Sequence, residues 1–215
     1  MNAVRRPGAG PTRAQRQAAT RAALLRSASR LICEHGLDGV SIDRIAADAG
    51  YTKGAFYANF ESKEHMFLTV LDEKFEDELA RLEAVLAGPG EALDVARTAA
   101  DDLLSYIDRD PQWSRLYQEF AVHAARNPAF RAELAARQRA VRARMAELFA
   151  SWSAALGIEP ALAHADVAAM IFFMADGFIL DRIIDPRLDD DLYATAVEVF
   201  LRGLRAMVAE RQAQA

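Results

Sequence analysis

The clearest pattern of short helices lies in residues 41–64, which read SIDRIAADAGYTKGAFYANFESKE. Ser41 and Thr52 each stand just before a helical pattern, where a side-chain hydroxyl accepts a backbone N–H of the first turn. Only Gly50 and Tyr51 separate the first of these helices from the second, which is predicted over residues 53–60. Two short helices joined by so tight a glycine turn are typical of a helix-turn-helix.

Longer helices are predicted on both sides of this segment. Apolar side chains at i, i+4, i+7 and i+8 from Leu24 onward mark one face of a helix over residues 13–35. Downstream, breakers such as Asn127-Pro128, where Asn caps a helix and Pro takes its first position, separate further helices. Their predicted ranges are a fourth helix from Ser62 to the breaker at 87–90, then residues 91–107, 112–126, 128–156, 161–184 and 190–210.

Composition agrees with a helical fold. Ala and Leu are abundant while aromatic residues make up 8% of the chain, which favours helices over sheets. A chain of 215 residues that is 52% hydrophobic is also long enough to bury a sizeable core. We therefore expect an all-α protein of about nine helices, in which a three-helix helix-turn-helix head precedes a larger helical domain.

Charge is distributed unevenly along the chain, whose formal net charge is −5. Residues 1–60 hold nine Lys or Arg against four Asp or Glu, a net of +5, so the other 17 basic and 27 acidic residues give −10. A basic head on an acidic body predicts that the head alone binds a polyanion. The longest apolar run, residues 167–180, is too short to span a bilayer and contains Asp176, so we expect no membrane-spanning segment.

Residues 41–64 as a whole resemble the DNA-binding signature of the TetR family of transcription regulators. The resemblance covers residues 15–70 in detail, and the rest of the chain only in the number, lengths and order of its helices. This sequence departs from the commoner family pattern at Tyr51 and at Ala58-Asn59, so no operator sequence is carried over from a relative. The family implies a helix-turn-helix head and a helical body that binds a small effector and dimerises.

A recognition helix must pack with one side and present small or polar groups to base edges and phosphates with the other. Phe56 and Phe60 supply the packing side of residues 53–60. The resemblance implies phosphate contacts from Lys63 and from the hydroxyl groups of Thr52 and Tyr57. It also implies a base-edge or phosphate contact from Lys53 and a close approach of the backbone to DNA at Gly54. The full set of implied DNA-binding residues is Ser41, Arg44, Thr52, Lys53, Gly54, Ala55, Tyr57, Asn59 and Lys63.

Large aromatic side chains recur on one face of the predicted helix 112–126. In the TetR family this region and its flanking helices enclose the effector cavity, and aromatic and Met side chains favour an apolar or aromatic effector. The implied lining is Tyr106, Trp113, Tyr117, Phe120, His123, Phe149, Trp152, Met170, Phe173 and Met174. For each of these residues an ordinary core position is the alternative. Asp176 or Asp166 is a candidate partner for a cationic group, with a surface or helix-cap role as the alternative.

The two predicted helices at the C-terminal end are candidates for a dimer interface. Residues 161–184 are apolar almost all round, so this helix must be covered on more than one face. As in the family, two such helices per subunit would form an isologous four-helix interface, and two heads would read a pseudo-palindromic site. The candidate interface residues are Ile171, Phe178, Val199, Phe200, Gly203, Leu204 and Met207.

These inferences divide the chain into three parts: a disordered basic arm at residues 1–14, a helix-turn-helix DNA-binding domain at 15–62, and an effector-binding and dimerisation domain at 63–215. The N-terminal basic residues Arg5, Arg6, Arg13 and Arg16 belong either to a minor-groove contact or to a solubilising tail. The arm lacks the apolar run of a signal peptide, and the lone Cys33 fits a reducing compartment, so we expect a cytoplasmic protein.

Two other functions compete with a ligand-responsive regulator. An enzyme is disfavoured because the sequence has no Gly-rich phosphate loop, no metal-spaced His, Cys and Asp set, and no Ser-His-Asp candidate, so we predict no catalytic residue, metal or cofactor. A constitutive DNA-binding protein whose body only dimerises stays open. The prediction is a homodimeric repressor that a small apolar effector releases from a double-stranded DNA operator.

Overall fold

The structure is a computed structural model, and it describes residues 12–158, 160–189 and 191–214. Arg5 and Arg6 of the predicted arm lie outside the described residues, whereas Arg13 and Ala14 belong to the first helix. All regular elements in the described ranges are α-helices, which confirms the predicted fold class. They are α1 (Arg13–His35), α2 (Ile42–Asp48), α3 (Lys53–Tyr57), α4 (Lys63–Leu86), α5 (Ala92–Arg109), α6 (Pro111–Arg126), α7 (Pro128–Ala155), α8 (His164–Ile184) and α9 (Asp191–Gln214).

Several helix boundaries follow from side-chain caps. Thr12 forms a capping box with Gln15 at the start of α1, in which each side chain bonds the backbone of the other. Asn127 caps α7 by accepting the N–H of Phe130 at 3.1 Å, with Pro128 in the first helical position, as the sequence predicts. Such caps satisfy backbone groups that have no partner within the helix, so they fix where each helix begins.

Helix α3 ends earlier than the predicted residue 60. The backbone N–H of Asn59 bonds Phe56 O at 2.9 Å in a tighter turn, and its side-chain amide donates to Ala55 O at 2.8 Å. This side chain therefore satisfies a carbonyl at the end of the helix, an alternative to continuing the helical ladder. Helix α9 instead continues past the predicted residue 210, because its last residues are good helix formers.

The described residues form two compact units, divided between Phe67 and Leu68 inside α4. In the first unit α1, α2 and α3 pack around fully buried apolar side chains. In the second unit α7 packs on α8, α5 on α9 and α6 on α7. The largest side chains in the core of the first unit are Leu24, Ile32, Ile45, Phe56, Phe60 and Phe67. Within the described ranges, no helix combines the length and the apolar character that crossing a membrane requires.

Candidate DNA-binding surface and ligand cavity

The turn between α2 and α3 holds the two helices in a fixed arrangement. Ser41 Oγ accepts the N–H of Arg44 at 3.2 Å and Thr52 Oγ1 accepts the N–H of Ala55 at 3.3 Å, so both predicted N-caps are present. Gly50 has a φ of 78°, a backbone conformation that favours glycine, and it reverses the chain between the helices. This local geometry follows directly from the hydroxyl and glycine positions of the sequence.

One side of α3 is buried and the other is exposed. Phe56 and Phe60 are fully buried and lie with ring centroids 5.5 Å apart, which anchors the helix on its inner side. Tyr57 is 53% exposed, and Thr52 and Lys53 are exposed with it. The recognition face that the sequence predicts is therefore open to a partner.

Lys53 and Gly54 give this exposed face its chemistry. Lys53 Nζ lies 3.0 Å from Asp43 Oδ2, and this hydrogen bond raises the pKa of the lysine, so the ammonium group stays charged. A Cβ placed on Gly54 would meet only Thr52 Oγ1, at 3.7 Å. No contact within the described residues therefore requires glycine here, and a close approach of DNA at Gly54 stays a prediction.

The remaining predicted DNA-binding residues differ in their solvent exposure and in their hydrogen bonds within the protein. Ser41 is exposed, and Arg44 is exposed with its guanidinium 2.6 Å from His35 Nε2. Ala55 and Asn59 are half-buried. Lys63 is half-buried too, and its Nζ donates to the carbonyl oxygens of Leu37 at 2.9 Å and Val40 at 3.1 Å. A phosphate contact from Lys63 would have to share or replace these bonds.

The second unit encloses a cavity of about 710 Å³ with a mainly apolar wall, formed by residues of α4 to α9 and of the loop after α7. Five of the ten predicted lining residues border it: Tyr106, Trp113, Tyr117, Phe149 and Trp152. The structure places the other five elsewhere. Phe120 and His123 pack against Phe130, Met170 and Phe173 are exposed, and Met174 packs beside the buried cluster around Tyr193.

Polar groups interrupt the apolar wall at the junction of α4, α6 and α8. Trp113 Nε1 donates to Glu78 Oε1 at 3.0 Å, and Gln138 Nε2 donates to the Tyr117 hydroxyl at 2.6 Å. Burial raises the pKa of Glu78 to about 7 and that of Asp176 to about 6, with a hydrogen bond from Tyr117 opposing the shift of Asp176. Each of these two carboxyl groups therefore gains or loses its proton near neutral pH.

Glu78 is the main site residue that the sequence reasoning missed. It lies three residues after Phe75 and four before Leu82, both of which border the cavity, so its position falls on the apolar stripe of α4. An acidic residue at a stripe position was the available signal. Asp176 and Asp166 were the two candidate partners for a cationic group, and Asp176 borders the cavity while Asp166 is exposed outside it.

Other polar groups of the wall are engaged with partners. Arg81 Nη2 lies 2.5 Å from Asp102 Oδ1, so these two charges neutralise each other. Ser153 Oγ lies 2.9 Å from His164 Nε2. The part of the chain that the structure describes contains no cluster of three or more His, Cys, Asp or Glu side chains placed to hold a metal ion.

The predicted dimer-interface residues fall into two groups. Val199 is 63% exposed, and Met207 and Gly203 are exposed on the same helix. By contrast, Ile171 and Leu204 border the cavity of this chain. Phe178 and Phe200 are half-buried, and Phe178 lies 5.6 Å from the Tyr193 ring. The structure also exposes apolar side chains on α8 that were not in the predicted interface: Met170, Phe173, Leu180, Ile183 and Ile184.

Comparisons with known proteins match both units. Residues 24–70 match the family model described as bacterial regulatory proteins, tetR family. Residues 92–206, more than half of the chain, match the model described as BetI-type transcriptional repressor, C-terminal. Residues 71–91 lie between the two matched segments.

Similarity to individual proteins is weaker. The chain is 28% identical over 114 residues to the transcriptional repressor AcnR of Corynebacterium glutamicum, which covers 53% of this chain and 55% of AcnR. It is 28% identical over 117 residues to the transcriptional activator FasR of Mycolicibacterium smegmatis, covering 54% of this chain and 53% of FasR. The chain thus spans about half the length of these curated relatives.

A solved structure gives a longer match. The transcriptional regulator FadR from Bacillus subtilis, in complex with stearoyl-CoA, superposes with a TM-score of 0.71 at 19% identity, covering 84% of this chain and 96% of FadR. At this identity the match shows a shared fold alone.

Proposed function

Because the chain belongs to the TetR family of bacterial regulatory proteins, we propose that it is a homodimeric repressor that a small ligand releases from a pseudo-palindromic DNA operator. The curated proteins that it matches are transcription regulators and not enzymes, in agreement with the sequence-based prediction. They include both a repressor and an activator, so the direction of regulation is part of the proposal.

The observation that carries the DNA-binding part is the exposed face of α3. Phe56 and Phe60 hold the helix from behind, which leaves Thr52, Lys53 and Tyr57 exposed on a basic head. In our proposal α3 enters the major groove, where Lys53 reaches a base edge or phosphate and the two hydroxyl groups bond phosphates. The N-terminal end of α2, with Ser41 and Arg44, supplies a second phosphate contact.

The cavity supports the ligand-responsive part. A largely apolar space of about 710 Å³ inside a helical unit is well suited to a drug-sized molecule. Helix α4 begins at Lys63, in the DNA-binding signature, and contributes Phe75, Glu78 and Leu82 to the cavity wall. In our proposal a bound ligand displaces the cavity segment of α4 and so changes the DNA-binding head.

The exposed apolar face of α8 and α9 supports a second copy of the chain as partner. Phe173, Ile184 and Val199 are 60%, 74% and 63% exposed, respectively, and large apolar patches on soluble proteins mark interaction sites. Apart from the adjacent residues and the nearby backbone of the same helix, no described atom lies within 4 Å of a Cβ built on Gly177 or Gly203, so another helix can approach closely there. An isologous dimer would bury this face and pair two recognition helices for a two-fold operator.

The test is selection of operator DNA from a random pool by the purified chain, followed by a mobility shift at stated salt. Enrichment of a two-fold symmetric site is expected, and Lys53→Ala should weaken its binding, whereas Arg26→Ala, which removes an exposed charge from α1, serves as the charge control. A folded, dimeric protein that enriches no site would contradict the proposal.

A further inference from the structure

The polar groups of the cavity indicate the charge of its ligand. We propose that the cavity binds a lipophilic organic cation, an ammonium-type or phosphonium-type centre on an apolar or aromatic body, with its positive charge beside the carboxylates of Glu78 and Asp176. This inference rests on the proposed function only for the consequence of binding, because the binding itself is measured without DNA.

The two carboxylates border the cavity without a basic side chain to neutralise them. Glu78 Oε1 accepts the Trp113 N–H at 3.0 Å. Lys74, one turn earlier on α4, is held by Asp110 at 2.5 Å. Asp176 forms no ion pair within 4 Å in the described part of the chain, although the positive charge of Arg142 acts to lower its pKa. A cation brought by a ligand would complete this site.

The protonation behaviour of the two acids is consistent with such a site. Removal from water is the largest cause of the raised pKa of both Glu78 and Asp176, and the charge of Asp176 further raises the pKa of Glu78. An organic cation beside them favours their ionised form, because an opposite charge lowers the pKa of a carboxyl group. Cation binding and proton binding therefore compete at these two side chains.

Aromatic rings surround the same position. Edge-to-face contacts join Phe75 to Trp113 and to Tyr117, with ring centroids 6.3 Å and 6.1 Å apart, respectively. All three residues border the cavity. Ring faces attract cations through their quadrupoles, most strongly for Trp and where water is excluded. The wall therefore brings carboxylates and aromatic rings together, with Lys74 Nζ 5.8 Å from the Trp113 ring centroid, while its apolar remainder accepts a hydrocarbon body.

An unsatisfied hydroxyl group provides independent evidence for a ligand. Ser114 borders the cavity and is only 6% exposed, yet its Oγ has no hydrogen-bond partner in the described part of the chain. A buried polar group without a partner is costly, and most such groups in native proteins have a partner. A polar atom of the ligand would supply that partner, next to Trp113 in the same turn of α6.

The charges of the cavity disfavour the other two ligand classes. An anionic head group beside Glu78 and Asp176 would meet like charges there. Of the two arginines on the wall, Arg81 is neutralised by Asp102, and Arg205 borders the cavity from α9. A neutral ligand would bring no counter-charge, so it would fit beside these two acids only in their protonated form. The stearoyl-CoA found in FadR is thus a poor guide to the ligand of this chain.

The test compares two probes of nearly the same size and shape, tetraphenylphosphonium and tetraphenylborate, which differ in the sign of their charge. Isothermal titration calorimetry measures their binding to the full chain and to Glu78→Gln, Asp176→Asn and Glu76→Gln. Glu76 is exposed on the same helix as Glu78, so its variant makes the same chemical change outside the cavity. Thermal unfolding checks that each variant is folded.

We expect the phosphonium to bind at least about tenfold more tightly than the borate, since an interaction with a charged group is typically worth that factor or more. Glu78→Gln and Asp176→Asn should each weaken phosphonium binding about tenfold and leave borate binding unchanged or stronger, while Glu76→Gln should match the wild type. Equal binding of the two probes, absence of phosphonium binding, or unchanged binding by both cavity variants would overturn the inference. Operator binding measured without either probe distinguishes this failure from failure of the proposed regulator.

Discussion

The half-buried carboxyl group of Glu78 on the cavity wall should make the stability of this protein depend on pH in a way that one substitution removes. Glu78→Gln keeps the size of the side chain and an oxygen that can accept the Trp113 N–H, but it cannot ionise. Burial raises the pKa of Glu78 from 4.5 to about 7, so the folded state holds a proton over a range in which the unfolded state has lost it. The substitution therefore isolates the free energy of ionising this one group.

The sign and size of the effect follow from the two pKa values. Below pH 4.5 the carboxyl group is protonated in both states and costs nothing; above pH 7 it is ionised in both, and the full cost of a buried charge applies. A shift of this size corresponds to at most about 3.5 kcal/mol, since one pKa unit is worth about 1.4 kcal/mol. Water entering the cavity lowers that figure, so we expect a gain of about 1–3 kcal/mol for Glu78→Gln at pH 8 and almost none at pH 4.

Urea unfolding at fixed protein concentration, repeated from pH 4 to pH 8, measures the difference between Glu78→Gln and wild type. Constant concentration matters because dimerisation would add to the measured stability. Lys74, Asp77 and Asp176 also act on Glu78 through their charges, and they are unchanged in both proteins. The exposed-site variant Glu76→Gln should show no such trend. A stability difference for Glu78→Gln that stays constant across this range would refute the account of Glu78 as a buried acid.

Three further perturbations test the DNA-binding face and the dimer. Gly54→Ala should leave thermal stability unchanged or higher, because its Cβ meets only Thr52 Oγ1 at 3.7 Å, while a mobility shift shows operator binding weakened about tenfold if the backbone approaches DNA there. Lys63→Ala should lower operator affinity and reduce the slope of log affinity against log salt concentration by about one unit. An unchanged slope would mean that Lys63 makes no phosphate contact and bonds only within the head. Phe173→Glu should produce a folded monomer in analytical ultracentrifugation, whereas Val122→Glu on α6 should not, and a dimer in both would place the interface elsewhere.

The DNA-binding head could be predicted in detail because its signals are local. Ser41, Gly50 and Thr52 each act within a few residues of their own position, and the structure places their caps and turn where the sequence predicts them. The predicted end of α3 was wrong because Asn59 bonds back to Ala55, a competition between side chain and backbone that apolar periodicity does not reveal.

The cavity could be predicted only in part, because periodicity shows that a face is apolar but not which neighbour covers it. Trp113 and Tyr117 border the cavity, while Phe120, on the same predicted stripe, packs against Phe130 of the next helix. Glu78 was missed because acidic residues flank it on α4, and a run of charges normally indicates a solvated face. Only the packing of α4 against α6, seen in the hydrogen bond to Trp113, identifies this acid as part of the wall.

Helix α4 sets the condition under which a cation could act as an effector. It contains both Lys63 and Glu78, so in the proposed mechanism the same helix links the cavity wall to the DNA-binding signature. A ligand that bound equally well to the DNA-free and DNA-bound states of the protein would leave operator affinity unchanged, however tightly it bound. Neutralisation of Glu78 must therefore be worth more in the DNA-free state than in the DNA-bound state, and operator binding must then weaken cation binding by the same factor.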